Sequence, residues 1–264
     1  MKMTAASCGC AEHIAASYLA RNGTLPLPIG DGEIYQTSLM SGLIAGVYEG
    51  DTTLGELFTH GDFGLGTFND LDGELIAFDQ HSHQLRADGS ATPTRPEQKT
   101  PFAVVTWFKP SVDLPLEQPM SGEEVEALIN RLAPSANLFC AIRVDGEFER
   151  VRTRTVPRQE RPYKPMLEAI AEQPTFDFNE TRGTLIGFRS PPYVQGVNVA
   201  GYHIHYITDQ RDGGGHVLEY RLKRGRLQLG LVSKLKIELP QNQDFLSADL
   251  FPADLDAAIR QAEA

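Results

Sequence analysis

The chain has 264 residues, enough to bury a core that needs no disulfide staples, as one large or two modest domains. Apolar residues make up 41% and charged residues 22%, the balance of a globular chain. The net charge of −11, from 24 basic and 35 acidic side chains, argues against a nucleic-acid binder or a protein held to an anionic membrane surface.

Residues 1–30 mix small, polar, Pro and Gly residues and end in LPLPIGDG. They read as a loosely attached extension with a short helix around 11–21. They lack the continuous apolar region of a secretory signal, and no later run approaches the roughly 20 apolar residues of a membrane span. The three cysteines, Cys8, Cys10 and Cys140, are odd in number and irregular in spacing, which predicts a cytoplasmic protein. Cys8, Cys10 and His13 have the composition of a metal cluster. A fourth ligand is missing and the segment is terminal, so they read as unliganded.

From Tyr35 the pattern turns β-rich. Short apolar runs alternate with Gly and Asp turns through LIAGVYEGDTTLGELFTHGDFGLGTFNDLDGELIAFD. GLGTF and GELIAF predict successive strands joined across NDLD. A strand, a polar Pro-containing loop and a strand over 102–108 follow. Ser121 and Glu124 have capping-box spacing, and Val125, Leu128, Ile129 and Leu132 repeat on one helical face before Pro134. NLFCAIRV and EFERVRTRTV predict a hairpin that turns at Asp145-Gly146. MLEAIAEQ, 166–173, predicts a second short helix.

A further β-rich block starts near Thr175 with GTLIGF, VAGYHIHYIT, HVLEYRLKRGRLQLGLV and KLKIEL, and DLDAAIRQAEA predicts a closing helix. The expected fold is α+β: two β-rich domains built on mixed sheets, with a few peripheral helices. The expected division is 1–30 as extension, 31–174 as an N-terminal mixed-sheet domain, and 175–264 as a C-terminal β domain. GELIAFDQHSHQLRADG and GTLIGFRSPPYVQGVNVAG share a strand, a connector and a strand closing on Gly, which fits two related sheets.

Three of the seven histidines fall in GYHIHYITDQRDGGGHVLEY. Residues i and i+2 of a strand share a face, with Cα atoms about 6.5 Å apart, so His203 and His205 can aim at one point. Three glycines before His216 allow close backbone folding. A simple hairpin would leave His216 a few residues out of register, so the loop is expected to help position it. The competing reading is a polar strand face beside a flexible loop. HSH at 81–83 has the same spacing in a polar setting, and His81 and His83 read as solvated. His60 reads as structural. A three-histidine site without cysteine leaves a coordination position open, as catalytic rather than structural sites do. Arg150, Arg152 and Arg154 can equally form a charged exposed face.

The stretch from LIAGVYEG to AFD, together with QLRADGSATP, TPFAVVTWF, YKPMLEAIAEQ, GTLIGFRSPPYVQGVNVAGYHIHYITDQRDGGGHVLEY and KLKIELP, resembles the α-acetolactate decarboxylase family. The resemblance runs from about Glu33 to the C-terminus. It implies conversion of 2-acetolactate to acetoin and CO2, with Zn2+ held by His203, His205 and His216. It further implies active-site roles for Glu74 in DGEL, Thr67 in GTF and Arg154, with Glu263 the nearest candidate for the family's C-terminal glutamate. A homodimer is implied as well. The alternatives are another three-histidine metal enzyme on a β scaffold, or a non-catalytic ligand-binding β domain. Acetoin formation with and without chelator separates them.

Overall fold

The computed structural model describes residues 9–22 and 32–263. In chain order the first part comprises α1 (Gly9–Asn22), β1 (Glu33–Thr37), α2 (Met40–Ile44), α3 (Leu54–Leu57), β2 (Phe63–Thr67), β3 (Glu74–Phe78), β4 (His81–Leu85), β5 (Ala91–Pro93) and β6 (Ala103–Thr106). Next come β7 (Val112–Leu116), β8 (Met120–Ser121), α4 (Gly122–Leu132), β9 (Phe139–Arg154) and α5 (Met166–Ala169). The chain closes with β10 (Thr175–Ser190), β11 (Gly201–Thr208), β12 (Gly214–Val232), β13 (Lys234–Glu238), α6 (Gln243–Ser247) and α7 (Leu255–Ala262).

The strands form two sheets. One has the order β13-β1-β6-β2-β3-β4-β5 and is mixed, because β13 pairs parallel to β1. The other has the order β11-β10-β9-β12-β7, with β8 beside β12, and its pairings are antiparallel. β11 also pairs with β12, so β9, β10, β11 and β12 close into a small barrel. The α+β class with few peripheral helices is therefore the observed one. The sheets do not divide at 174/175: β7, β8 and β9 join the second sheet, and β13 returns to the first.

Alternation along the strands sorts side chains into layers. Phe63 and Leu65 of β2, Ile76 and Phe78 of β3, and Val104 of β6 pack against Phe139, Ala141, Ile186, Phe188 and Ile207 of the second sheet. On the outer face of the first sheet, Leu54 and Leu57 of α3 cover Tyr35, Leu75 and Val105. On the outer face of the second, α4 lays Val125, Leu128, Ile129 and Leu132 over Cys140, Ile142 and Val144. The expected capping box starts α4: the Ser121 hydroxyl accepts from the Glu124 N–H, and Glu124 accepts from the Ser121 N–H at 2.9 Å.

Three expectations need correction. Asp145-Gly146 is not a turn, because β9 runs unbroken through it between β10 and β12. Gly146 lies abreast of Gly183 and Gly225, and its Asp145 neighbour accepts from Arg143 and Thr184. Strands on both sides thus hold the pair extended. The helix at 166–173 is a single turn, α5. His83 is buried on β4, while His81 is exposed at the strand's start; His60 stacks on Tyr35 with ring centroids 3.8 Å apart. Cys8 lies outside the described residues, and His13 is exposed on α1.

Replacing Ser121 with Ala removes the α4 cap. A loss of about 1 kcal/mol is expected, read as a lower urea midpoint with unchanged slope.

Candidate metal centre and active site

The site forms between the two sheets, where β11 and β12 enter the core. His203 and His205 share a face of β11 by alternation. His216 of β12 is the direct cross-strand partner of His205. His216 is thus in direct register with His205, contrary to the expectation of a displaced histidine. Pairing resumes at Ile207 and Gly214, and the Thr208 N–H donates to the Gly213 carbonyl.

The glycines permit a close approach. A Cβ on Gly214 would lie 2.1 Å from the Tyr206 carbonyl oxygen, and one on Gly215 would lie 2.4 Å from that of Arg154. β12 is thus wedged between β11 and β9. His216 consequently faces both His205 and Arg154 as backbone partners.

One potential ligand atom from each of His203, His205 and His216 lies within 4.8 Å of the others. Their ring centroids are 5.0 to 5.6 Å apart. All three are buried. The Leu75 carbonyl of β3 lies 2.8 Å from His205 Nδ1, which ties β11 to the first sheet and leaves Nε2 buried without a partner. Burial holds all three imidazoles below their ordinary pKa, His203 down to about 3, with the nearby Arg154 acting in the same direction. Neutral imidazoles and an orphaned ring nitrogen fit a divalent cation, for which deprotonated histidine is the ligating form.

The other sequence-predicted residues come to the same place. Thr67 and Glu74 are cross-strand partners on β2 and β3. The Thr67 hydroxyl donates to the Gly73 carbonyl at 2.7 Å, which fixes the turn just before Glu74. Glu74 Oε2 lies 3.7 Å from His205 Nε2. Glu263, just past α7, puts Oε2 3.9 Å from His203 Nε2 and 4.0 Å from His216 Nε2. Burial pushes the Glu74 carboxyl up to about 8 against the pull of Arg154, with Glu263 adding to the rise. Glu263 is likewise raised by burial, to about 7, again opposed by Arg154. A bound cation would act on both in the opposite direction to burial.

Arg154 is buried, unlike Arg150, which is exposed and paired with Asp177 and Glu219. A phase change within β9 explains this. Phe148 and Val151, an odd number apart, both face the α4-side core, and the register of β12 shifts over the same stretch. Even-numbered side chains after it point to the inter-sheet side. Arg154 lines a cavity with the apolar Met40, Leu43, Leu71, Phe102, Val156 and Met166 and the polar Thr67, Glu74, His203, His216 and Glu263. Sequence reasoning did not single out these apolar residues, nor Gln173, which accepts from Arg154; no fixed spacing marks them.

Three converging neutral imidazoles, the buried Glu74 carboxyl, the half-buried Glu263 carboxyl and a buried arginine define an enzyme with a candidate metal centre. A family model for alpha-acetolactate decarboxylase matches residues 34–252. The chain belongs to that family, whose members are lyases. The alpha-acetolactate decarboxylase of Klebsiella aerogenes is 52% identical over 263 residues, covering 100% of both chains. That of Raoultella terrigena is 54% identical over 256 residues, covering 97% of each. The crystal structure of alpha-acetolactate decarboxylase from Bacillus subtilis strain 168 superposes with a TM-score of 0.87 at 45% identity, covering 88% of this chain and 99% of that one.

Changing Gly215 to Ala should push the Arg154 backbone and His216 apart. The expected result is a loss of about 1–3 kcal/mol in thermal unfolding together with weaker zinc binding in a metal titration.

Proposed function

We propose that the chain decarboxylates 2-acetolactate to acetoin and CO2 in a metal-dependent reaction. The observation that carries this reading is the buried three-histidine cluster with its unpartnered His205 Nε2, set between two carboxyls and an arginine in a chain of this family. His203, His205 and His216 would hold Zn2+, and other divalent metals that accept imidazole suit the same donors. When bound, the ion supplies Lewis-acid stabilisation to the ketone and hydroxyl oxygens of the substrate.

Acetolactate is a β-keto acid, so loss of CO2 leaves an electron pair that the ketone must take up as an enediolate. Arg154 would hinder the reaction if it only clamped the departing carboxylate, since that stabilises the ground state. It assists by stabilising charge that develops on the enediolate, or by holding the carboxylate perpendicular to the carbonyl plane. Glu74, buried with its Oε2 3.7 Å from His205 Nε2, is placed to deliver a proton to one face of the enediolate and so set the stereochemistry of acetoin. Glu263 lies on the His203 and His216 side of the cluster and serves as a second carboxyl there. Thr67 orients the Glu74 strand through its bond to Gly73. The apolar lining suits the substrate's methyl groups and keeps the dielectric low. A cytoplasmic homodimer, inferred from cysteine usage and family resemblance, completes the reading.

Chelation should abolish acetoin formation from acetolactate and lower the melting temperature, and added Zn2+ should restore both. Acetoin production unaffected by complete metal removal would refute the metal role. Glu74→Gln should keep its bound metal and lose about a hundredfold or more in kcat. An unchanged rate with unchanged product chirality would exclude Glu74 as the proton donor.

A further inference from the structure

Arg154 is held from two separate parts of the chain. Its Nη1 donates to Gln173 Oε1 at 2.9 Å, and its Nη2 donates to the Ala262 carbonyl. Gln173 closes the turn that follows α5, where its own N–H donates to the Ile170 carbonyl. Ala262 ends α7, and the free carbonyls of a helix C-terminus carry partial negative charge. The buried Nε–H of Arg154 has no partner, and Arg154 lines the cavity. Two of the guanidinium's five donors are thus committed to the protein, and the rest remain for a substrate.

The guanidinium is planar. One acceptor would fix its reach but leave its plane free to swing; acceptors on both Nη groups fix the plane too. Gln173 is also neutral. A carboxylate at that point would hold the fork but offset the charge the reaction needs, whereas an amide oxygen holds it and leaves the charge intact.

We propose that Gln173 is a positioning residue: together with the Ala262 carbonyl it clamps the plane of the Arg154 guanidinium against the histidine cluster. This rests on the role of Arg154 proposed above. Gln173 acts through Arg154 and does not contact the reacting atoms.

The test is a double-mutant cycle on the metal-loaded enzyme. Gln173→Met keeps the side chain's shape and removes the acceptor. It should lower kcat about tenfold, with KM, metal content and melting temperature little changed. In an Arg154→Lys background, Gln173→Met should cost little more, because lysine has no plane to align. Additive losses would overturn the proposal, as would full kcat in Gln173→Met beside an impaired Arg154→Lys. Full kcat in Arg154→Lys itself would remove the assigned role of Arg154 and the clamp with it. Should Gln173→Met fail to fold, Gln173→Asn, whose shorter amide falls short of Nη1, carries the same cycle.

Discussion

The structure depends on one close passage. At Gly214 and Gly215 the backbone of β12 passes so near the Tyr206 and Arg154 carbonyls that no side chain fits at either glycine. That passage lets β12 pair with β11 on one edge and β9 on the other. It closes the small barrel, and it makes His216 a neighbour of both His205 and Arg154. A larger residue there would separate the histidines from the arginine, because backbone atoms have nowhere to yield. The three consecutive glycines thus serve strand packing on both sides as much as turn geometry.

Around this junction the protein gathers ionisable groups where apolar packing would be more stable. Three imidazoles, the Glu74 carboxyl and a guanidinium lie buried between the sheets, with the half-buried Glu263 beside them. Burial drives the histidines towards their neutral, ligating form and the carboxyls towards their protonated form. Arg154 opposes burial at both carboxyls and reinforces it at the histidines. The unpartnered atoms His205 Nε2 and Glu263 Oε2 mark where the protein alone leaves polar groups unsatisfied. A native fold tolerates such local conflict mainly where it has chemistry to perform.

Much of this was legible in the sequence where it rests on short-range rules. The α4 capping box, the β2–β3 hairpin and the shared face of His203 and His205 follow from spacing alone. The strand over 139–154 did not, because Asp-Gly is a turn signal that two flanking strands override. Nor did the inward aim of Arg154, which depends on a change of phase between Phe148 and Val151. His83 shows the limit of polarity as a guide: its polar neighbours suggested solvent, but β4 lies inside the first sheet. Glu74 and Glu263 came from family resemblance, since nothing local tells residue 74 that residue 263 will face it. Gln173 closes a stretch that carries the family resemblance, but no spacing in it points to Arg154.

The bond between His205 and the Leu75 carbonyl spans 130 positions of sequence. Contacts of such separation carry a large loop-closure cost and form slowly. The first sheet can pair β2 with β3, and the β11–β12 hairpin can form, from local contacts alone. Neither contains a working site. The three histidines meet Glu74 only when distant halves of the chain have docked, so a partly folded chain can carry every one of these residues and still lack the site they form. Turnover is in that sense a readout of completed tertiary structure.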